Sequence, residues 1–141
     1  MAELKTEILN EKLMKSENFD AFFETHGKHI RLDSFHNCLY DMISDSGLKN
    51  SDIFLAADLS ESYGYQLLSG KRQPSRDKIL KLAFALKLTL EKTNLLLKLG
   101  QKNSLYVKNK RDAILMFALN TKKSLIDTNA LLESENCDLL L

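Results

Sequence analysis

Proline occurs once in 141 residues, glycine five times and tryptophan not at all. With Pro74 the one residue that cannot continue a helix, and with β-branched residues sparse, the chain reads as all-α. Cys38 and Cys137 are too few and too far apart in sequence to suggest a disulfide framework. No apolar run reaches the roughly 18 residues that span a bilayer. Met1-Ala2-Glu3-Leu4-Lys5 opens an acidic, amphipathic segment, not a signal peptide. No membrane partner and a cytoplasmic location are therefore expected. A glycine-rich phosphate loop, a Ser/His/Asp order and paired carboxylates in a defined cleft are all missing. His26, His29, His36 and Cys38 give H-x2-H-x6-H-x-C, which fits no zinc spacing. The expectation is no enzyme activity, no cofactor and no metal. No internal repeat or low-complexity tract is read along the chain.

What is present is enough apolar residue, 44% of the chain, to build a core. The length fits one domain with extensions. Leu4, Ile8, Leu9 and Leu13 share one face of a helix over 3–15. Asn18 is placed to cap a second, carrying Phe19, Phe22 and Phe23 and ending near His26-Gly27. These three aromatics read as a plug on the main domain or as a homodimer contact. Asp33 or Ser34 caps the next helix, with Phe35, Leu39, Met42 and Ile43 inward and Gly47 at its end. Ser75 caps a helix reaching Leu86. Thr89 caps a leucine-rich helix closed by Gly100, greasy enough to need cover from the C-terminal extension or a second subunit. A last hairpin carries Ile114, Leu115, Phe117 and Ala118, then Leu125, Ile126, Asn129 and Leu132 behind a Ser124 cap.

The chain is organised around Asn50 to Arg76. Ile53, Phe54 and Ala57 place an apolar stripe on a short helix, and Asp58-Leu59 breaks it. Ser60 is a good N-cap, and Glu61 suits the positive end of the helix dipole. Leu67 and Leu68 face the core. Gly70 stands where a left-handed residue ends a helix. Two short helices joined by so small a turn are a helix-turn-helix, whose second helix can enter the DNA major groove.

From Ser34 to Gly100 the chain resembles the lambda-repressor-like, XRE-type helix-turn-helix domains. The best-matching part is L-S-E-S-Y-G-Y-Q-L-L-S-G-K-R-Q-P-S-R-D-K-I-L-K-L-A-F-A-L-K-L-T-L. With L-Y-V-K-N-K-R-D-A-I-L-M-F-A-L-N behind it, the chain is similar to a narrower group of bacterial XRE-type proteins described as transcriptional regulators. The resemblance implies a five-helix core over 33–100, a helical extension over 1–32 and a helical hairpin over 101–141. It also implies sequence-specific binding of duplex DNA by a homodimer. On the family's pattern, Glu61, Ser62 and Gln66 meet base edges with Tyr63 and Tyr65 flanking. Asn50, Ser69, Lys71, Arg72 and Arg76 meet phosphates. The chain departs from the pattern at three places. Gly64 replaces an inward Ile or Val, Asp58 replaces a turn glycine, and Phe54 replaces a small Ala. A shifted helix pair follows, with Tyr63 or Tyr65 expected to roll into the space at Gly64.

The net charge of +1 hides an asymmetry. Residues 1–70 carry 6 Lys/Arg against 12 Asp/Glu, residues 71–111 carry 12 against 2, and residues 112–141 carry 2 against 5. A basic middle is the electrostatic footprint of a polyanion binder. It is also what two solvated helix faces would show. The recognition face has no Arg or Lys of its own. The second reading is therefore a degenerate helix-turn-helix acting as a protein–protein interaction module through Tyr63 and Tyr65. The two readings differ in one respect: a DNA reader keeps its basic residues on the surface of Glu61, Ser62 and Gln66.

Overall fold

Serine and threonine hydroxyls decide where most of these helices begin. In the computed structural model, which describes residues 6–26 and 34–141, the chain forms α1 (Thr6–Lys15), α2 (Phe19–His26), α3 (Phe35–Ser46), α4 (Asn50–Ala56), α5 (Glu61–Leu68), α6 (Arg76–Ala85), α7 (Leu90–Leu99), α8 (Lys110–Asn120) and α9 (Leu125–Ser134). No strand occurs among the described residues, so the fold is all-α. Ser34, Ser60, Ser75, Thr89 and Ser124 each accept a hydrogen bond from the backbone N–H three residues on. That satisfies one of the donors a helix start leaves unpaired. Asn109 caps α8 in the same way, a role not read from the sequence.

The helix ends were less legible. Gly47 is left-handed at φ 71°, and Gly70, as expected, at 79°. Gly100 is not; its φ is −81°, and Gln101 takes the left-handed position at 59°. Gly100 serves close packing instead, because a Cβ there would lie 2.5 Å from Ile79 Cδ1. Asp58, Lys87, Lys122 and Asn136 also end helices in the left-handed region. Each is followed by an N–H that bonds back to the helix, as Leu59 does to Phe54 O at 2.9 Å.

Two compact units result, 1–33 and 34–141. In the first, α1 packs on α2. The Asn18 carboxamide accepts from Ala21 N, and the Phe19 and Phe22 rings lie 6.3 Å apart. Phe22 is buried and Phe19 exposed. Leu4, Gly27, His29 and the Phe23 side chain lie outside the described residues.

The second unit is built on α6. Ile79, Leu80, Lys81, Leu82, Ala83 and Phe84 are all buried. A helix covered on every side must sit at the centre, and α4, α7 and α9 all pack on it. The hairpin after Gly100 thus belongs to the same compact unit as the helices before it. Leu96 and Leu97 of α7 are buried, with α3, α6 and α8 packed on that helix.

The structure also shows a repeat that the sequence reading missed. Helices α8–α9 repeat α6–α7 at an offset of 35 residues. Arg76-Asp77 corresponds to Arg111-Asp112, Leu80 to Leu115, Ala83 to Ala118, Thr93-Asn94 to Thr128-Asn129, Leu97 to Leu132 and Leu105 to Leu140. The correspondence extends to bonding. Thr93 and Thr128, both fully buried, each donate a hydroxyl to the carbonyl four residues back at 2.8 Å. Asn94 Oδ1 accepts from Leu105 N, as Asn129 Oδ1 accepts from Leu140 N.

Contacts between the two copies are reciprocal, the mark of a local two-fold relation. Arg76 clamps Asp112 at 3.0 and 2.9 Å, and Arg111 clamps Asp77 at 3.1 Å through both nitrogens. Arg76 also donates to Asn103 O and Ser104 O, and Arg111 to Asp138 O and Leu139 O. Lys87 Nζ donates to Lys122 O, and Lys122 Nζ donates to Lys87 O. Likewise α6 packs on α9 and α7 on α8.

Candidate nucleic-acid interface

The stretch singled out in the sequence folds into α4, a turn over 57–60, and α5. Ile53, Phe54 and Ala57 are buried, which anchors α4. Asp58 makes the turn at φ 55°, a region a short polar side chain tolerates. Its carbonyl accepts from Lys81 Nζ at 3.3 Å, and its carboxylate lies 3.8 Å from the same ammonium. A lysine from the central helix thus holds the corner.

Gly64 corrects one expectation. Neither Tyr63 nor Tyr65 fills the space beside it; Phe54 does. A Cβ on Gly64 would lie 2.6 Å from the Phe54 ring. The large residue on α4 and the absent side chain on α5 are one exchange of volume between facing positions. Tyr65 lies edge-on to Phe54 at 5.4 Å and remains 49% exposed.

On the outer face of α5, Glu61, Ser62 and Tyr65 are exposed, while Tyr63 and Gln66 are half-buried. Beyond the helix, Ser69 is exposed and donates its hydroxyl to Gln66 O at 3.1 Å. Lys71 and Arg72 are exposed. Asn50 is the first residue of α4 and half-buried. The sequence left this face without a cation of its own, but the fold returns one to it. Arg72 Nε donates to Gln66 Oε1 at 2.8 Å, and the guanidinium lies 5.4 Å from the Tyr63 ring centre. Lys78, which the sequence reading did not single out, places its ammonium 5.9 Å from the same ring. Burial raises the Tyr63 phenol above its ordinary pKa, and the Arg72 charge opposes that shift. Cation–π contacts of this kind orient a guanidinium without neutralising it.

Arg76 stands apart from the other expected phosphate contacts. Its four hydrogen bonds go to Asp112, Asn103 and Ser104. It joins the two repeated hairpins, and its charge is answered within the chain. Sequence spacing alone could not show this, because the partner is 36 residues away. No cluster of three His, Cys, Asp or Glu that could hold a metal occurs among the described residues, and no helix there is long and apolar enough to cross a membrane.

No protein-family model, curated protein or solved structure matches this chain. The functional argument therefore rests on the residues themselves.

Proposed function

We propose that the chain binds duplex DNA in a sequence-specific manner as a homodimer and acts as a transcriptional regulator, with α4 and α5 as its helix-turn-helix. The observation that supports this reading is the Arg72 guanidinium held against Gln66 and Tyr63. A cation against Gln66, one of the residues that would meet base edges in this reading, suits a DNA reader. In this reading α5 enters the major groove. Gln66, with its Oε1 oriented by Arg72, presents its amide N–H groups to a base acceptor, Glu61 accepts from a cytosine amino group, and Tyr65 meets a thymine methyl. Lys71, Arg72, Ser69 and Asn50 position the backbone, and Lys78 joins them. The competing reading, a protein-interaction module, draws support from the exposure of Leu55 on α4, 79%, and of Tyr65 on α5.

The experiment is binding to random duplex DNA at about 50 and 200 mM salt, with Lys71→Ala/Arg72→Ala beside the parent chain. Affinity should fall steeply with salt, and the double substitution should reduce the slope of log K against log salt by about 2. Absence of binding at low salt would sink the DNA reading and turn attention to a protein partner.

A further inference from the structure

The two repeated hairpins differ in what covers them. In the first, Ile79, Leu82 and Leu96 are fully buried, and α3 and α4 lie over that hairpin. Their counterparts 35 residues on are Ile114, Phe117 and Leu131, and none of the three is buried. Phe117 is 55% exposed. It lines two grooves along α8. One, of about 320 Å³, is lined by Lys110, Ala113, Ile114, Leu131 and Glu135 as well as Phe117. The other, of about 420 Å³, shares Ala113 and Phe117, adds Val107, itself 63% exposed, and Met116, and runs to Leu119 and to Leu90 at the start of α7. The inward side of α8 is already apolar, through the buried Leu115, Ala118 and Leu119. A helix apolar on both sides is normally covered on both.

We infer that the outer face of α8 is where two copies of this chain pair, the Phe117 of each entering the Ile114–Leu131 groove of the other. Two features of the face favour a second copy over an unrelated helix. A two-fold contact requires one patch to be both knob and hole, and here Phe117 and the apolar groove it lines share one face. The groove rim also carries one charge of each sign, Lys110 and Glu135, 3.5 Å apart. Antiparallel apposition of two such rims sets each lysine against the other copy's glutamate. The contact locates the dimer that DNA binding calls for and rests on that reading for its biological purpose, but its test contains no DNA, so the two can fail separately.

The test is the mass in solution by light scattering, at micromolar to tens of micromolar protein, of the full chain, Phe117→Arg, Ala113→Glu and Leu95→Arg. Leu95 is 45% exposed on α7, outside both grooves, and serves as the control. The parent chain and Leu95→Arg should run at twice the chain mass of 16.1 kDa. Phe117→Arg and Ala113→Glu should run at the chain mass with unchanged helical circular dichroism. Two α8 variants are used so that a folding defect in one leaves the other informative. A parent chain that stays monomeric overturns the inference, as does a dimer that survives both α8 substitutions. A monomeric parent whose melting temperature falls on Phe117→Arg would assign the groove to this chain's own residues 1–33, which also overturns it.

Discussion

The hairpin α6–α7 and the hairpin α8–α9 carry the same polar framework and meet different surroundings. Both begin with an Arg-Asp pair, bury a threonine that bonds back one turn, and use an asparagine to hold the chain beyond the second helix. Many apolar positions repeat as well, Ile79 as Ile114 and Leu96 as Leu131 among them, and the copies differ at others. Leu82, buried on the helix that α4 packs against, is matched by Phe117 on an open face, and Lys81 by Met116. The polar framework sets the hairpin's shape and its pairing, while the same isoleucine and leucine are buried in the first copy and half-buried in the second. Buried polar groups tolerate little change because each needs its partner in place. Apolar contacts can be re-cut wherever volume is conserved.

The largest difference between the copies should come from truncating the counterpart pair Leu82 and Phe117. Leu82 is fully buried, so Leu82→Ala should cost about 3 kcal/mol in chemical denaturation. Phe117→Ala, measured in dilute protein, should cost less than about 0.5 kcal/mol, as exposed substitutions do. Equal losses would mean that the outer face of α8 is covered within the chain.

The crossed ion pairs come next. The Asp112 side chain is 8% exposed, and Asp77 is 26% exposed. Asp112 also accepts from Tyr106 N at 3.0 Å, a bond that Asp77 answers with a longer one to Leu141 N at 3.3 Å. Removing the more buried carboxylate strands Arg76 and should cost about 3 kcal/mol. Asp77→Ala should cost about 1 kcal/mol, nearer the range of exposed pairs. Urea midpoints of the two variants check the order, and a reversed order would mean that the second copy, not the first, is the better-closed end of the pair.

How much of this was legible in the sequence differs by residue. Ser60, Ser75, Thr89 and Ser124 were read as caps because a cap is local: the hydroxyl and the N–H it accepts are three residues apart. The turn at Asp58 was legible for the same reason. The exchange between Phe54 and Gly64 is half visible in the sequence: each residue departs from the family's pattern, but that each explains the other shows only when the two meet across a turn. The repeat is hard to see in the sequence because its polar marks are few, while the leucines and isoleucines that also repeat suit any amphipathic helix. The family's pattern offers Arg76 as a phosphate contact, and the carboxylate it bonds lies 36 residues away in the other copy, beyond the reach of local spacing. Arg72 was placed in the turn correctly, but its return to Gln66 depends on the tight exit that the left-handed Gly70 makes.

The finest probe of the comparison exchanges one residue of the first copy for its counterpart in the second. Lys81 is 3% exposed in the centre of the fold, where Met116 stands in the other hairpin. Burial lowers the pKa of its ammonium below the ordinary 10.5; Lys78 nearby adds to the shift and Asp58 opposes it. The folded chain therefore holds this proton less tightly than the unfolded chain. At neutral pH both states are protonated, and the folded state bears the full cost of the buried charge. As pH rises from the folded value toward 10.5, the unfolded state binds more protons than the folded one, so this group's contribution moves toward greater stability. Lys81→Met removes that cost and should stabilise the protein by about 1 kcal/mol at pH 7, after loss of the bond to Asp58 O. The advantage over the parent chain should shrink as pH approaches 10.5, read from denaturation at several pH values. A loss of stability at pH 7 would show instead that the lysine's grip on the Asp58 corner outweighs its desolvation, and that the first copy keeps its charge to hold the turn between α4 and α5.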